Sequence, residues 1–154
     1  MVSARRRARG FTLIELLTVL TIIVILAGIG VPSFSRLMAG QRVKAAASNL
    51  RQALLVTRSE ALKRNADVAV QPADGAAWTA GFTVVNPSSG TVLNTYPAVK
   101  GLTITGPTSI TYQASGRISP GTEPTFRIAG SAASELRCVS INLTGMPTVR
   151  NSGC

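Results

Sequence analysis

The chain has 154 residues, with 16 Lys and Arg against 6 Asp and Glu, no histidine and a formal charge of +10. Its length fits one domain plus a segment. The missing histidine removes the commonest general base and metal ligand. The carboxylates are scattered without a close pair, and two cysteines are too few for a thiolate zinc site. The sequence therefore reads as a non-enzyme without a cofactor, whose basic balance permits nucleic acid, anionic lipid or an acidic partner without choosing among them.

The first ten residues carry Arg5, Arg6, Arg7 and Arg9 and end at Gly10. Without them twelve basic residues still face six acidic ones, so the excess belongs partly to the working protein. From Phe11 to Val31 runs FTLIELLTVLTIIVILAGIGV, 21 residues with a single charge, Glu15. A helix of that length spans about 30 Å, the thickness of a hydrocarbon core. The arginines ahead of it should stay in the cytoplasm while the rest faces outward. Cys138 and Cys154 suit that side, where a disulfide persists. A discarded secretory signal, with Arg5–Arg7 hinting at a twin-arginine type, and a plain anchor are two readings. Glu15 argues against both: a carboxylate at the centre of a spanning helix costs about 2.5–3.5 kcal/mol on insertion scales and less near the end, but a sequence evolved only to insert would omit it. A third reading gives it a partner. A cut between Gly10 and Phe11 creates an amino group one helical turn away, with which a carboxylate in lipid can pair, most usefully on a neighbouring subunit.

The stretch RGFTLIELL resembles the leader and helix start of type IV pilins and type II secretion pseudopilins. In that family a prepilin peptidase cuts after the glycine and methylates the new N-terminal residue. The resemblance implies a cleaved leader at 1–10, cleavage between Gly10 and Phe11, N-methylation of Phe11, and an assembly role for Glu15, fifth in the mature chain. It also implies its partners: the peptidase, other pilin or pseudopilin subunits, and the inner membrane. The chain would cross that membrane once, N-terminus cytoplasmic and head periplasmic, before entering a pilus or pseudopilus. Pro32 falls where many pilins place a helix-loosening proline, with Gly28 and Gly30 just before it.

Residues 32–65 turn amphipathic. Val43, Ala47, Leu50, Leu54 and Ala61 recur at helical spacing and form one face. Arg36, Lys44, Arg51 and Arg58 form a second stripe, whose ordinary reading is a solvated flank. Contact with acidic surfaces of neighbouring subunits, or with lipid headgroups or DNA, are its functional readings. Gly40 weakens the helix locally by about 1 kcal/mol, and Asn65 is a plausible stop.

From Ala66 onward short alternating runs predict strands at 67–71, 81–85, 91–96, 102–105, 110–113, 125–128, 136–142 and near 148–151. Turn signals at Pro72–Gly75, Asn86–Gly90, Gly106–Pro107, Pro120–Gly121 and Thr144–Gly145 separate them. The expected architecture is α+β and pilin-like. A membrane half (11–31) and an amphipathic half (32–65) of one long helix pack on a small antiparallel sheet forming the head, 66–154. Cys138 and Cys154 enclose about the last 17 residues. As a disulfide they would restrain the tail by about 3 kcal/mol; two buried free thiols are the alternative.

The segments RSEALKRN, WTAGFTVV, ITYQASGRIS, TFRI and LRCVSINLTGMPTVRNSGC are similar to the GspH/FimT/FimU branch of minor pilins, strongly over residues 7–65 and loosely after. FimT-type members are implicated in DNA uptake through a Gly-Arg-x-Arg motif near the C-terminus. Here the corresponding stretch is Gly145-Met146-Pro147-Thr148-Val149-Arg150, without the first arginine. Arg117, Arg127, Arg137 and Arg150 remain candidate DNA contacts if packing brings them together. Few aromatics lie beside them, so stacking on bases is weakly supported. A structural subunit of a type IV pilus or type II secretion pseudopilus is the first expectation, and a DNA-binding minor pilin the alternative.

Overall fold

The computed structural model describes residues 11–118, 123–130 and 135–154. The expected leader, with Gly10, lies outside the described residues, as do the Pro120–Gly121 turn and the side chains of Pro32 and Arg36. The chain divides into two units, Met1–Leu37 and Met38–Cys154.

One helix, α1, covers Leu13–Arg64 and continues through Pro32, so the two expected halves belong to a single element. In the first unit its residues from Leu13 to Gly30 are long and apolar enough to cross a membrane, and none of them is buried. The polar groups there are turned inward: the Thr18 and Thr21 hydroxyls donate to the carbonyls of Ile14 and Leu17, both at 2.8 Å. Such back-bonding leaves no bare hydroxyl to face hydrocarbon.

In the second unit α1 buries Val43, Ala46, Ala47, Leu50, Ala53, Leu54, Thr57 and Ala61. The five expected face residues are all among them. Four of the eight are alanines, which let strands approach the helix closely. Thr57 is tolerated in this core because its hydroxyl donates to the Ala53 carbonyl at 2.7 Å. The helix stops where Asn65 takes a left-handed conformation, φ 49°. The Ala66 N–H then returns to the Ala61 carbonyl at 3.2 Å, the Schellman closure favoured at helix C-termini.

Eight strands follow, each at an expected position within two residues at either end: β1 Val68–Pro72, β2 Phe82–Val85, β3 Val92–Tyr96, β4 Leu102–Thr105, β5 Ile110–Tyr112, β6 Thr125–Gly130, β7 Leu136–Ile141 and β8 Pro147–Arg150. The expected antiparallel β head is present, and it is divided in two. Two four-stranded sheets form, in the orders β3-β2-β1-β5 and β4-β6-β7-β8, with every pairing antiparallel. Alternation along each strand marks an inward face but does not say which strands pair. β4 leaves the first sheet for the second, and β5 returns to the edge beside β1.

Trp78 joins the two sheets. It opens a short 3-10 turn, Trp78–Ala80, and packs edge-on against Phe126 of β6 at 4.9 Å and tilted against Phe82 of β2 at 5.9 Å. Its indole N–H donates to the Pro107 carbonyl at 2.8 Å, so its single polar atom is satisfied. Val68, Val70, Val84 and Tyr112 of the first sheet share one core with Phe126, Ile128, Val139 and Ile141 of the second, over the apolar face of α1.

Candidate functional site

The start of α1 is built by Thr12 and Glu15. The Thr12 N–H and hydroxyl both donate to Glu15 Oε2, at 2.9 and 2.8 Å, and the Glu15 N–H donates to Thr12 Oγ1 at 3.3 Å. This reciprocal pair is a capping box, which satisfies two of the amides that a helix N-terminus leaves free. Its signature, Thr followed three residues later by Glu, is present in TLIE, where the charge in an apolar run masks it. Glu15 Oε1 takes no hydrogen bond among the described residues. Phe11, directly ahead of the cap, is 82% exposed. The turn therefore holds a carboxylate with one oxygen occupied by its own helix and one open to a donor.

The candidate DNA arginines are not gathered into one patch. Arg127 of β6 and Arg150 of β8 flank Cys138 of β7 in one cross-strand row. Directly opposed residues share a face, so both arginines lie on the side of this sheet away from the core, roughly 10 Å apart. Arg137 is opposite Ile128, a core residue, and so belongs to the other face. Arg117 is exposed in the turn after β5, where its carbonyl accepts from the Gln113 N–H at 2.8 Å.

Arg137 instead meets the stripe on α1. Lys44, Arg51 and Arg137 line a groove of about 610 Å³ with Ala47, Pro147 and Val149, between the helix and the β7–β8 hairpin. On the other flank of α1, Arg42 and Lys100 line a second groove of about 580 Å³. Arg58 departs from the solvated-flank reading of the stripe. Its Nε donates to the Gly116 carbonyl at 2.9 Å and its Nη1 reaches Met146 Sδ at 3.3 Å. Beside it the Tyr112 hydroxyl donates to the Gly145 carbonyl at 3.1 Å, and burial pushes that hydroxyl above the ordinary tyrosine range, opposed in part by the Arg58 charge. Arg58 fastens the β7–β8 turn to the helix, and Tyr112 fastens it to β5.

Cys138 and Cys154 form the expected disulfide, with Cα atoms 5.2 Å apart. It ties the segment after β8 back onto β7, between Arg127 and Arg150.

Comparison with known proteins agrees with this architecture. A family model described as Type II transport protein GspH matches residues 46–145. A second, the Prokaryotic N-terminal methylation motif, matches residues 5–31. The crystal structure of the type IV minor pilin FimU of Pseudomonas aeruginosa PAO1 in space group P21 superposes with a TM-score of 0.63 at 24% identity, covering 73% of this chain and 90% of that one. The same protein in space group P65 gives 0.62 at 25% identity, with 70% and 91% covered. No curated protein matches the chain.

Proposed function

We propose a role for the chain from one premise: it belongs to the GspH family, whose members are structural pilin or pseudopilin subunits and not enzymes. The methylation motif implies processing by a prepilin peptidase, assembly with other subunits and anchoring in the inner membrane. On that basis the leader is removed between Gly10 and Phe11, and Phe11 is N-methylated. The head stands in the periplasm until the subunit enters a filament, and Glu15 receives the amine of a neighbour's N-terminus there. The observation that carries this reading is the start of α1, where a capped carboxylate with a free oxygen opens an exposed, membrane-length apolar segment. Among the described residues Glu15 bonds only Thr12, and a charge so placed costs less if a second subunit supplies a partner.

The test is intact-mass measurement of the exported protein. A mass beginning at methylated Phe11 is expected. Retention of residues 1–10, or a cut beyond Pro32, rejects the reading. Within the family, genomic neighbours would assign the chain to a type II secretion operon or to a minor-pilin cluster. The DNA-uptake alternative draws support only from Arg127 and Arg150 sharing one sheet face.

A further inference from the structure

The groove between α1 and the β7–β8 hairpin is cationic, and between its charges apolar Ala47, Pro147 and Val149 alternate with polar Ser48, Thr148 and Asn151. Lys44 and Arg51 project from one flank of the helix and Arg137 from the facing strand, around Ala47, Pro147 and Val149. Among the described residues no carboxylate lines it, and the one ion pair is Arg64–Glu60, on the last turns of the helix. The Glu135 carboxylate lies against Gly40, one helical turn before Lys44, without an ion pair to either helix cation. Elsewhere on the same hairpin Leu143 and Met146 are exposed at 47% and 39%, and Val149 in the lining at 38%. Three like charges held together repel one another, and a cluster of this kind gains most when carboxylates enter it.

We infer that this groove docks a carboxylate-bearing, partly apolar helical segment of a different subunit. Two features favour a protein segment over nucleic acid. The lining carries no aromatic ring for stacking bases, while Ala47, Pro147 and Val149 offer apolar contact. The cations converge on a concavity instead of following a strip as a phosphate backbone does. Lys44 and Arg51 are seven residues apart, about 10 Å along the helix. A helix with carboxylates seven residues apart meets both in register. A second copy of this chain is a poor occupant, since residues 38–154 hold eleven basic residues against five acidic ones, and one of the five, Glu60, is already paired.

The inference rests on the subunit reading, and its test separates the two. The full chain, in nanodiscs of zwitterionic lipid at about 150 mM salt, is titrated with a labelled helical peptide bearing glutamates seven residues apart with leucines between. Lys44→Gln/Arg51→Gln/Arg137→Gln should lose at least about tenfold in affinity. Arg127→Gln/Arg150→Gln, on the other face, should lose less than about twofold. The Gln variants remove charge from exposed or half-buried sites, and thermal unfolding checks that each remains folded. Equal losses in the two variants, equal binding of a peptide of the same composition with the glutamates scrambled, or no binding at all would overturn the proposal. So would tighter binding of an oligonucleotide that the groove substitutions abolish. Normal processing and filament entry of the wild-type chain together with no peptide binding by it sinks this inference alone. Failure of processing in the wild-type chain sinks the subunit reading itself.

Discussion

Glu15 carries one observed role and one proposed role. Its Oε2 closes the capping box with Thr12, and under the proposed assembly role its charge meets a neighbour's amine through the other oxygen. Substitutions can separate the two roles. Glutamine serves at the third helical position of a capping box, so Glu15→Gln keeps the cap and removes the charge. Glu15→Leu removes both and lifts the desolvation cost in lipid. Both variants should insert in the membrane as well as the parent, and neither should enter filaments, as read by the pilus or pseudopilus fraction of cells. Filament entry by Glu15→Gln would mean that the cap, worth about 1 kcal/mol, is the residue's whole role. Arg58 makes a contrasting case, because its bonds run inside its own domain. Arg58→Ala leaves the Gly116 carbonyl and Met146 without their donor and should cost about 1–3 kcal/mol in urea unfolding. Arg51→Ala, at an exposed site, should stay within about 0.5 kcal/mol. Periodicity placed both arginines on one stripe and could not tell them apart. A 3.6-residue period reports direction from the helix axis, whereas burial of Arg58 depends on two turns far along the chain.

The strands were legible element by element because turn residues punctuate them. At Gly145 the turn needs φ 83°, and a Cβ there would strike the Gly116 carbonyl, so this glycine is required by both backbone and space. The partition into two sheets was not legible, since it depends on the long-range packing of Trp78 against Phe126 and on β4 and β5 exchanging sheets. At this scale the disulfide is the strap of the β7–β8 hairpin. Cys138→Ser and Cys154→Ser should each destabilise the head by about 3 kcal/mol, and the double variant little more, because one bond is lost in all three. Alkylation of the non-reduced exported protein should find no free thiol. The loop after β1 carries a pH dependence of defined sign. Asp74 accepts the N–H groups of Ala76 and Ala77 at 2.9 and 2.8 Å, and these bonds hold its carboxyl below the usual range. A depressed folded value stabilises the loop above the ordinary carboxylate pKa of about 4, and that stabilisation fades as pH falls through the depressed value. Trp78, the one tryptophan, follows directly and reports it. Its fluorescence should shift on acidification in the parent and lose that step in Asp74→Asn.

Over the whole molecule, charge decides what binding experiments mean. The mature chain proposed here keeps twelve basic residues against six acidic ones. Such an excess attracts any polyanion at low salt, so a complex with DNA formed there says nothing about a site. The discriminating comparison is Arg150→Ala with Arg51→Ala near physiological salt. Arg150 lies on the outer face of the second sheet in the row of Arg127 and Cys138, while Arg51 lines the groove on the helix. A tail-centred DNA site predicts a marked loss for Arg150→Ala and almost none for Arg51→Ala. A diffuse field predicts small and similar losses, because each side chain supplies one of many distant charges and about one counterion's share of the salt dependence. The diffuse outcome is expected. The structure separates Arg137 from Arg127 and Arg150 by placing it on the opposite face of β7, so the three do not make one surface. Binding that survives about 150 mM salt and collapses only with Arg150→Ala would reverse that ranking. It would place a nucleic-acid site on the outer face of β6, β7 and β8, with the Cys138–Cys154 bond as the element holding Arg150 in position.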